Sequence, residues 1–268
     1  MSTAFPARLE RFGMVDSTQT IVRRWLDAGT PEVAVAVADQ QTAGRGRLDR
    51  TWTAPAGAAL LCSVGLRPDG LDAGHGWRLG AVVSLAMLDA AEEVAGLRDG
   101  RLVLKWPNDI VIDGATTGGP GGPPLRKVAG VLGESVLTAE GTIETAVVGI
   151  GVNADWAAAD FPAALAATMT SLREASGGRP IDRDRLLDAF LARLEPRYEA
   201  LRAGRFDAGT WTARQVTTGR EVEVATGDRH VRGRATGVDP ESGSLIVEVE
   251  GREWSVESGE VTQCRVLG

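Results

Sequence analysis

The chain has 268 residues, 43% of them hydrophobic, and a formal net charge of −7. That length fits one large unit or a medium unit with a small companion, with apolar content enough for a core. No run of about 18 apolar residues exists, so a membrane-spanning helix is excluded, and the acidic balance argues against a general nucleic-acid binder.

Met1 to Arg11 mixes Pro6, Arg8, Glu10 and Arg11 and has no apolar stretch of the secretory kind. A helix is predicted from Asp16-Ser17-Thr18, with Ile21, Val22, Trp25 and Leu26 at helical spacing and a stop at Gly29-Thr30-Pro31. Val33 to Ala38 reads as a buried strand, Gln40 to Trp52 as a loop, and Ala58 to Leu66 as a second apolar strand. Trp77 to Val94 reads as a long helix ended by Gly96. A strand, Arg101 to Lys105, is broken at Pro107-Asn108-Asp109 and resumes at Ile110 to Ile112. Ala115 to Pro124, rich in glycine and proline, reads as a mobile loop. Lys127 to Leu137 and Thr142 to Val152 form a hairpin pattern. Asp182 opens a further helix with Leu186, Leu187, Phe190, Leu191 and Leu194 on one face, which Pro196 is expected to kink or divide. After about Val216, short alternating strands appear at Glu221 to Ala225, His230 to Gly237, Ser244 to Val249 and Glu253 to Val256. This change of texture predicts an α/β unit over 1–215 and a small β-barrel over 216–268. Cys62 and Cys264 lie at opposite ends of the chain and read as free thiols of a cytosolic protein.

Four segments carry candidate chemistry. Gly44-Arg45-Gly46-Arg47, with Arg50 and Trp52, crowds arginines into a loop whose glycines let backbone approach a ligand. Three arginines alone would read as a solvated turn; the glycines, Gln41 and Trp52 shift the reading towards an anion site. Lys105-Trp106-Pro107-Asn108-Asp109 presents an amide and a carboxylate together, either for Mg²⁺ and phosphates or as a plain Asn-Asp turn. Lys127-Val128-Ala129-Gly130-Val131-Leu132-Gly133-Glu134 opens a glycine-bearing strand with a lysine, a clamp for anions or a strand-edge charge. Lys105 and Lys127 are the only lysines; the other 27 basic residues are arginine. A compact ammonium with a tunable pKa is thus used where a guanidinium fork would not serve. Gly149-Ile150-Gly151-Val152-Asn153 superficially suggests a dinucleotide fingerprint but lacks the third glycine and the following helix, and no phosphate-binding P-loop is present.

Taken in order, these four strings resemble the biotin protein ligases, and the resemblance covers nearly the whole chain. It implies an α+β fold, a mixed sheet packed with helices (class II synthetase-like), with a C-terminal SH3-like barrel. It implies activation of biotin by ATP to biotinyl-5′-AMP, and transfer to a lysine of a biotin carboxyl carrier domain. Lys127, Arg47 and Asp109 are then the expected catalytic residues. Ser17, Thr18, Gln19, Gln41, Arg45, Gly46, Arg47, Lys127 and Gly130 are expected at biotin. Arg45, Arg47, Arg50, Trp52, Asn108 and Asn153 are expected at ATP or the adenylate, and Mg²⁺ is expected to enter with ATP rather than through protein ligands. Ser17 and Thr18 read equally as helix caps. The arginine loop is expected to be mobile without ligand and to close over the adenylate.

Three departures stand out. Asp49 occupies a position where the family usually has glycine, Gln19 replaces an asparagine, and the 115–124 loop is long. The segment before Ser17 is too short for a DNA-binding helix-turn-helix domain, so no repressor role is implied. The expected setting is cytoplasmic, with no nucleic-acid or membrane partner, as a monomer or homodimer. Lipoate attachment and a non-catalytic biotin sensor are the competing readings. The barrel has only Trp254 as an aromatic residue, which suits closing the site or docking the carrier better than binding proline-rich peptides.

Overall fold

The computed structural model describes residues 5–113, 125–227 and 229–265. The first unit opens with β1 (Arg8–Val15), α1 (Thr18–Asp27), β2 (Ala34–Gln41) and β3 (Ala59–Leu66). It continues with α2 (Trp77–Val94), β4 (Leu102–Lys105), β5 (Asp109–Ile112), β6 (Arg126–Leu137) and β7 (Ile143–Asn153). Four helices follow: α3 (Ala163–Ala166), α4 (Leu172–Ala175), α5 (Arg183–Arg202) and α6 (Ala208–Ala213). The last five strands are β8 (Glu221–Thr226), β9 (Arg229–Val238), β10 (Leu245–Val249), β11 (Arg252–Val256) and β12 (Glu260–Arg265).

The first seven strands form one mixed sheet in the order β1-β2-β3-β7-β6-β5-β4; only β1 and β2 are parallel. Its two faces are read off strand alternation. In β3, Leu60, Cys62, Val64 and Leu66 join the main core with α2 and α5. In β7, Val148, Ile150 and Val152 do the same, as do Val33, Val35 and Val37 at β2. The opposite face is covered by α1, whose Val22 and Leu26 pack on Ala36 and Val147. Gly65 makes that approach possible, since a Cβ there would stand 2.6 Å from Val22 Cγ1. Covering on both faces explains why β3 is buried along its whole length and apolar apart from Ser63.

The remaining strands form an antiparallel sheet, β11-β10-β9-β8-β12, in keeping with the expected SH3-like fold. The chain reaches it along the open edge of the first sheet: Leu104 N donates to Arg214 O, and Val216 N donates to Leu104 O, both at 2.8 Å. This segment covers the β4 edge.

Several expectations need correction. The sequence pattern missed β1, where Arg8, Glu10 and Arg11 interrupt the apolar alternation; as an edge strand it pairs on one side only. It also missed α6 and β12, whose Thr262, Gln263 and Cys264 carry little apolar signal. Pro196 does not divide its helix: α5 runs unbroken through it, opened by Asp182 accepting from the amides of Asp184 and Arg185 at 3.0 Å. Asp109 to Ile112 does not resume the preceding strand but returns antiparallel to it, so Trp106-Pro107-Asn108 is a hairpin turn. The 115–124 loop lies outside the described residues.

Candidate active site

The site lies on the α1 face of the first sheet. Alternation puts Leu61, Ser63 and Gly65 of β3, and Gly149, Gly151 and Asn153 of β7, on that face. The glycines leave room for other side chains. A Cβ at Gly149 would stand 2.9 Å from the Gln19 amide carbon, and one at Gly151 would stand 2.6 Å from the Trp52 ring. The pattern that superficially resembled a dinucleotide fingerprint is therefore a strand whose exposed row is kept low. The cleft has a volume of about 250 Å³. Its wall includes every predicted site residue except Ser17.

At one end sit buried Thr18 and Gln19, from the first turn of α1, and fully buried Ser63. Thr18 N and Oγ1 both donate to Gln41 Oε1, at 2.8 and 3.0 Å, and Thr18 Oγ1 lies 2.7 Å from Ser63 Oγ. Gln19 Nε2 donates to Leu132 O at 3.1 Å. Neither hydroxyl caps the helix: Ser17 holds the cap position without a side-chain bond, and its buried Oγ has no partner. The capping alternative thus fails for both residues.

The arginine loop is a miniature hairpin. Arg45 bridges Thr51, Gly46 N donates to Arg50 O at 2.7 Å, and Trp52 N donates to Gly44 O at 2.9 Å. Leu48 and Asp49, at φ 55° and 57°, make its turn. Two central residues with positive φ define a type I′ geometry, which explains why glycine is favoured there and why aspartate is tolerated. Asp49 is exposed and lies off the cleft wall, so its charge does not line the site.

The loop places its cations along the cleft. Arg47 Nη1 donates to Gly259 O at 3.0 Å, Arg50 pairs with Glu260, and Arg45 binds Glu134 through two bonds of 2.8 and 3.0 Å. Burial pushes the Arg47 guanidinium below its usual value, while Asp109 and Glu260 oppose that fall. Lys127 Nζ lies 2.7 Å from Asp109 Oδ1 and 5.4 Å from the centre of a Trp52 ring. Trp52 also borders Gly130, where a Cβ would stand 3.3 Å from the ring. Lys105 donates to Val261 O at 2.8 Å, so both lysines reach the cleft.

Two amides are partly committed to the frame. Asn108 Nδ2 donates to Val131 O at 2.8 Å, next to the Asp109–Gly130 pair of β5 and β6, and Asn153 Nδ2 donates to Thr170 O at 3.0 Å. Asn153 Oδ1 and Trp52 Nε1 are buried without partners on the cleft wall, an acceptor and a donor open to a ligand. Among the described residues no group of three His, Cys, Asp or Glu side chains could hold a metal.

Sequence reasoning missed Ser63 and Glu260; Glu134 closes the Lys127 string, and only the structure shows that it pairs with Arg45. Ser63 had a signal: it is the single hydroxyl in the run Ala59–Leu66. Glu260 had none, because it arrives from the other sheet.

Comparison with known proteins bears on the whole chain. Residues 12–153 match the family described as Biotin/lipoate A/B protein ligase, and residues 217–262 match the Biotin protein ligase C terminal domain. The chain is 33% identical over 234 residues to the biotin–[acetyl-CoA-carboxylase] ligase of Mycobacterium tuberculosis, covering 86% of this chain and 79% of that protein. It is 31% identical over 240 residues to the bifunctional ligase/repressor BirA of Bacillus subtilis, covering 89% and 69%. The biotin protein ligase from Aquifex aeolicus, solved in complex with biotin and ATP, superimposes with a TM-score of 0.76 at 28% identity, covering 95% and 97% of the two chains.

Proposed function

The chain belongs to the biotin/lipoate A/B protein ligase family, and from that premise we propose how its cleft performs the reaction. It is an ATP-dependent biotin protein ligase that uses biotin, ATP and Mg²⁺. Biotin ligases act on carrier domains of biotin-dependent carboxylases, and we take such a domain as the acceptor here.

Biotin lies with its ureido ring at the Thr18–Gln41 end and its carboxylate towards Lys127 and Arg47. The adenine packs on Trp52, and its amino group donates to Asn153 Oδ1, the acceptor left open in the wall. In the first step the carboxylate attacks the α-phosphorus of ATP and pyrophosphate leaves. Two unit charges about 4 Å apart repel by roughly 4 kcal/mol at intermediate dielectric, so cations must offset that cost. Lys127 and Arg47 do so nearest the new acyl-phosphate linkage, and Arg50 reaches the outer phosphates. Bound Mg²⁺ supplies further neutralisation of the triphosphate. In the second step a neutral lysine amine of the carrier attacks the acyl carbon and AMP leaves. Asp109, in contact with Lys127, orients that amine.

We divide the chain into a catalytic unit, 1–215, and a C-terminal unit, 216–268, that helps hold the arginine loop. We place the enzyme in the cytoplasm, as a monomer or homodimer without nucleic-acid or membrane partners. The observation that carries this reading is the gathering of four separate strings on one sheet face. Incubation with biotin, MgATP and a biotin carboxyl carrier domain, followed by the carrier's intact mass, tests it. One added biotinyl group that requires ATP is expected. No gain, on a carrier that another ligase modifies, would overturn the reading and make lipoate with its own carrier the next substrate.

A further inference from the structure

We infer that Glu134 is a positioning residue that latches the arginine hairpin to β6 through a forked ion pair with Arg45, and so sets how long the adenylate is held; the link to the adenylate rests on the biotin reading above. The hairpin is tied to both sheets. Among the described residues, its side-chain hydrogen bonds reach three partners: Gly259 O from Arg47, Glu260 from Arg50, and Glu134 from Arg45. The first two tie the tip to the start of β12. The third ties the stem, where Arg45 bridges Thr51, to the first sheet. Arg45 Nη1 and Nη2 donate to Glu134 Oε1 and Oε2 at 2.8 and 3.0 Å, across 89 residues of sequence. Two parallel bonds fix orientation as well as distance, which a point charge would not.

The fixed side of this latch is anchored twice. Glu134 pairs with Val147 in the β6–β7 ladder. Its backbone O accepts from Arg23 Nη2 of α1 at 3.3 Å, and Arg23 Nη1 donates to Thr145 Oγ1 at 3.3 Å. The hairpin side is short and is held internally by the amides of Gly46, Arg50 and Trp52. The paired side chains are 43% and 34% exposed, so water reaches them and the pair opens reversibly, as a latch must. Glu134 lies off the cleft wall, whereas Arg45 is on it. A ligand in the cleft therefore meets Arg45 but not Glu134, and any effect of Glu134 on that ligand passes through Arg45 and the hairpin.

The test uses the full chain and three variants: Glu134→Gln, Arg45→Gln and both together. Hydrogen exchange over 44–52 reads hairpin opening, because the amides of Gly46 and Trp52 bond within it. Each single variant should exchange about threefold faster there, the scale of an exposed ion pair, and the double no faster than either. Amides of β3 and β7 should keep parental rates. With biotin and MgATP, Glu134→Gln should form biotinyl-5′-AMP within about twofold of the parental rate and release it about threefold faster. Parental exchange over 44–52 in either single variant, or single effects that add in the double, would overturn the latch. A loosened hairpin that releases the adenylate at the parental rate would overturn its link to retention. If β3 and β7 also loosen in Glu134→Gln, Arg45→Gln decides alone. A parent that forms no adenylate overturns the biotin reading, while the exchange rates still decide the latch.

Discussion

Lys127 and Asp109 pair at 2.7 Å between the neighbouring strands β6 and β5, and Arg47 is tied to Gly259 at 3.0 Å, so the charges are set before substrates arrive. Preorganised cations of this kind stabilise charge that develops on the phosphate, and losing one commonly costs about a hundredfold in rate. Arg47→Ala should slow adenylate formation by about that factor and let what forms escape. Pyrophosphate release and free biotinyl-5′-AMP report the two effects; a variant that holds the intermediate as the parent does would refute the clamp. Gly151→Ala forces a methyl against the Trp52 ring. Overpacking costs roughly 1–3 kcal/mol, so the KM for ATP should rise about tenfold or more while biotin affinity stays within about twofold. Equal effects on both ligands would separate Trp52 from the adenine. Cys62 is buried against α2, and burial pushes its thiol up to about 12. A group with its folded pKa raised keeps its full contribution below the unfolded value and loses it as pH rises towards the folded one. Stability should therefore decline from about pH 9 towards pH 12, and Cys62→Ala should flatten part of that decline in thermal melts. Identical pH slopes in the two proteins would exclude the thiol as the cause.

Helix α1 both packs the sheet and presents Thr18 and Gln19, so its seating on β3 sets the biotin end of the cleft. Gly65 permits that seating. Gly65→Ala should displace Val22 and Leu26 and cost about 1–3 kcal/mol. The melting temperature should fall by several degrees, and biotin binding should weaken because Thr18 moves with the helix. A destabilised variant with parental biotin affinity would show that α1 seating and the ureido end are independent. The sheet rows explain which residues were legible. Thr18, Gln41, the arginine loop and Lys127 announced themselves as polar or glycine-bearing strings between apolar runs. Ser63 was hidden in such a run because one face of β3 belongs to the core and the other to the cleft.

The two sheets meet at the cleft. Lys105 bonds Val261 O, Trp106 Nε1 donates to Gly243 O at 2.9 Å, and the buried Trp106 N donates to Thr217 Oγ1 at 3.0 Å. Removing one partner leaves a buried donor unsatisfied, at about 1–3 kcal/mol. Thr217→Val should therefore lower the melting temperature by a few degrees and raise the KM for ATP more than that for biotin, because the Lys105–Asp109 hairpin loses its anchor. Parental KM values in a destabilised variant would confine the C-terminal unit to a stabilising role.

The sequence by itself determined the α+β class, the main helices, the β6–β7 hairpin and most of the residues around the cleft. Short-range patterns suffice for these: apolar spacing, glycine turns and the composition of four strings. Only the tertiary structure decided which partner each charged group takes and which face each strand residue serves. Arg50 meets Glu260 across more than two hundred residues of sequence, and Ser63 meets Thr18 across strands. Pairing of that kind follows from strand register and from how the two sheets are set together. Composition and local spacing carry no record of either.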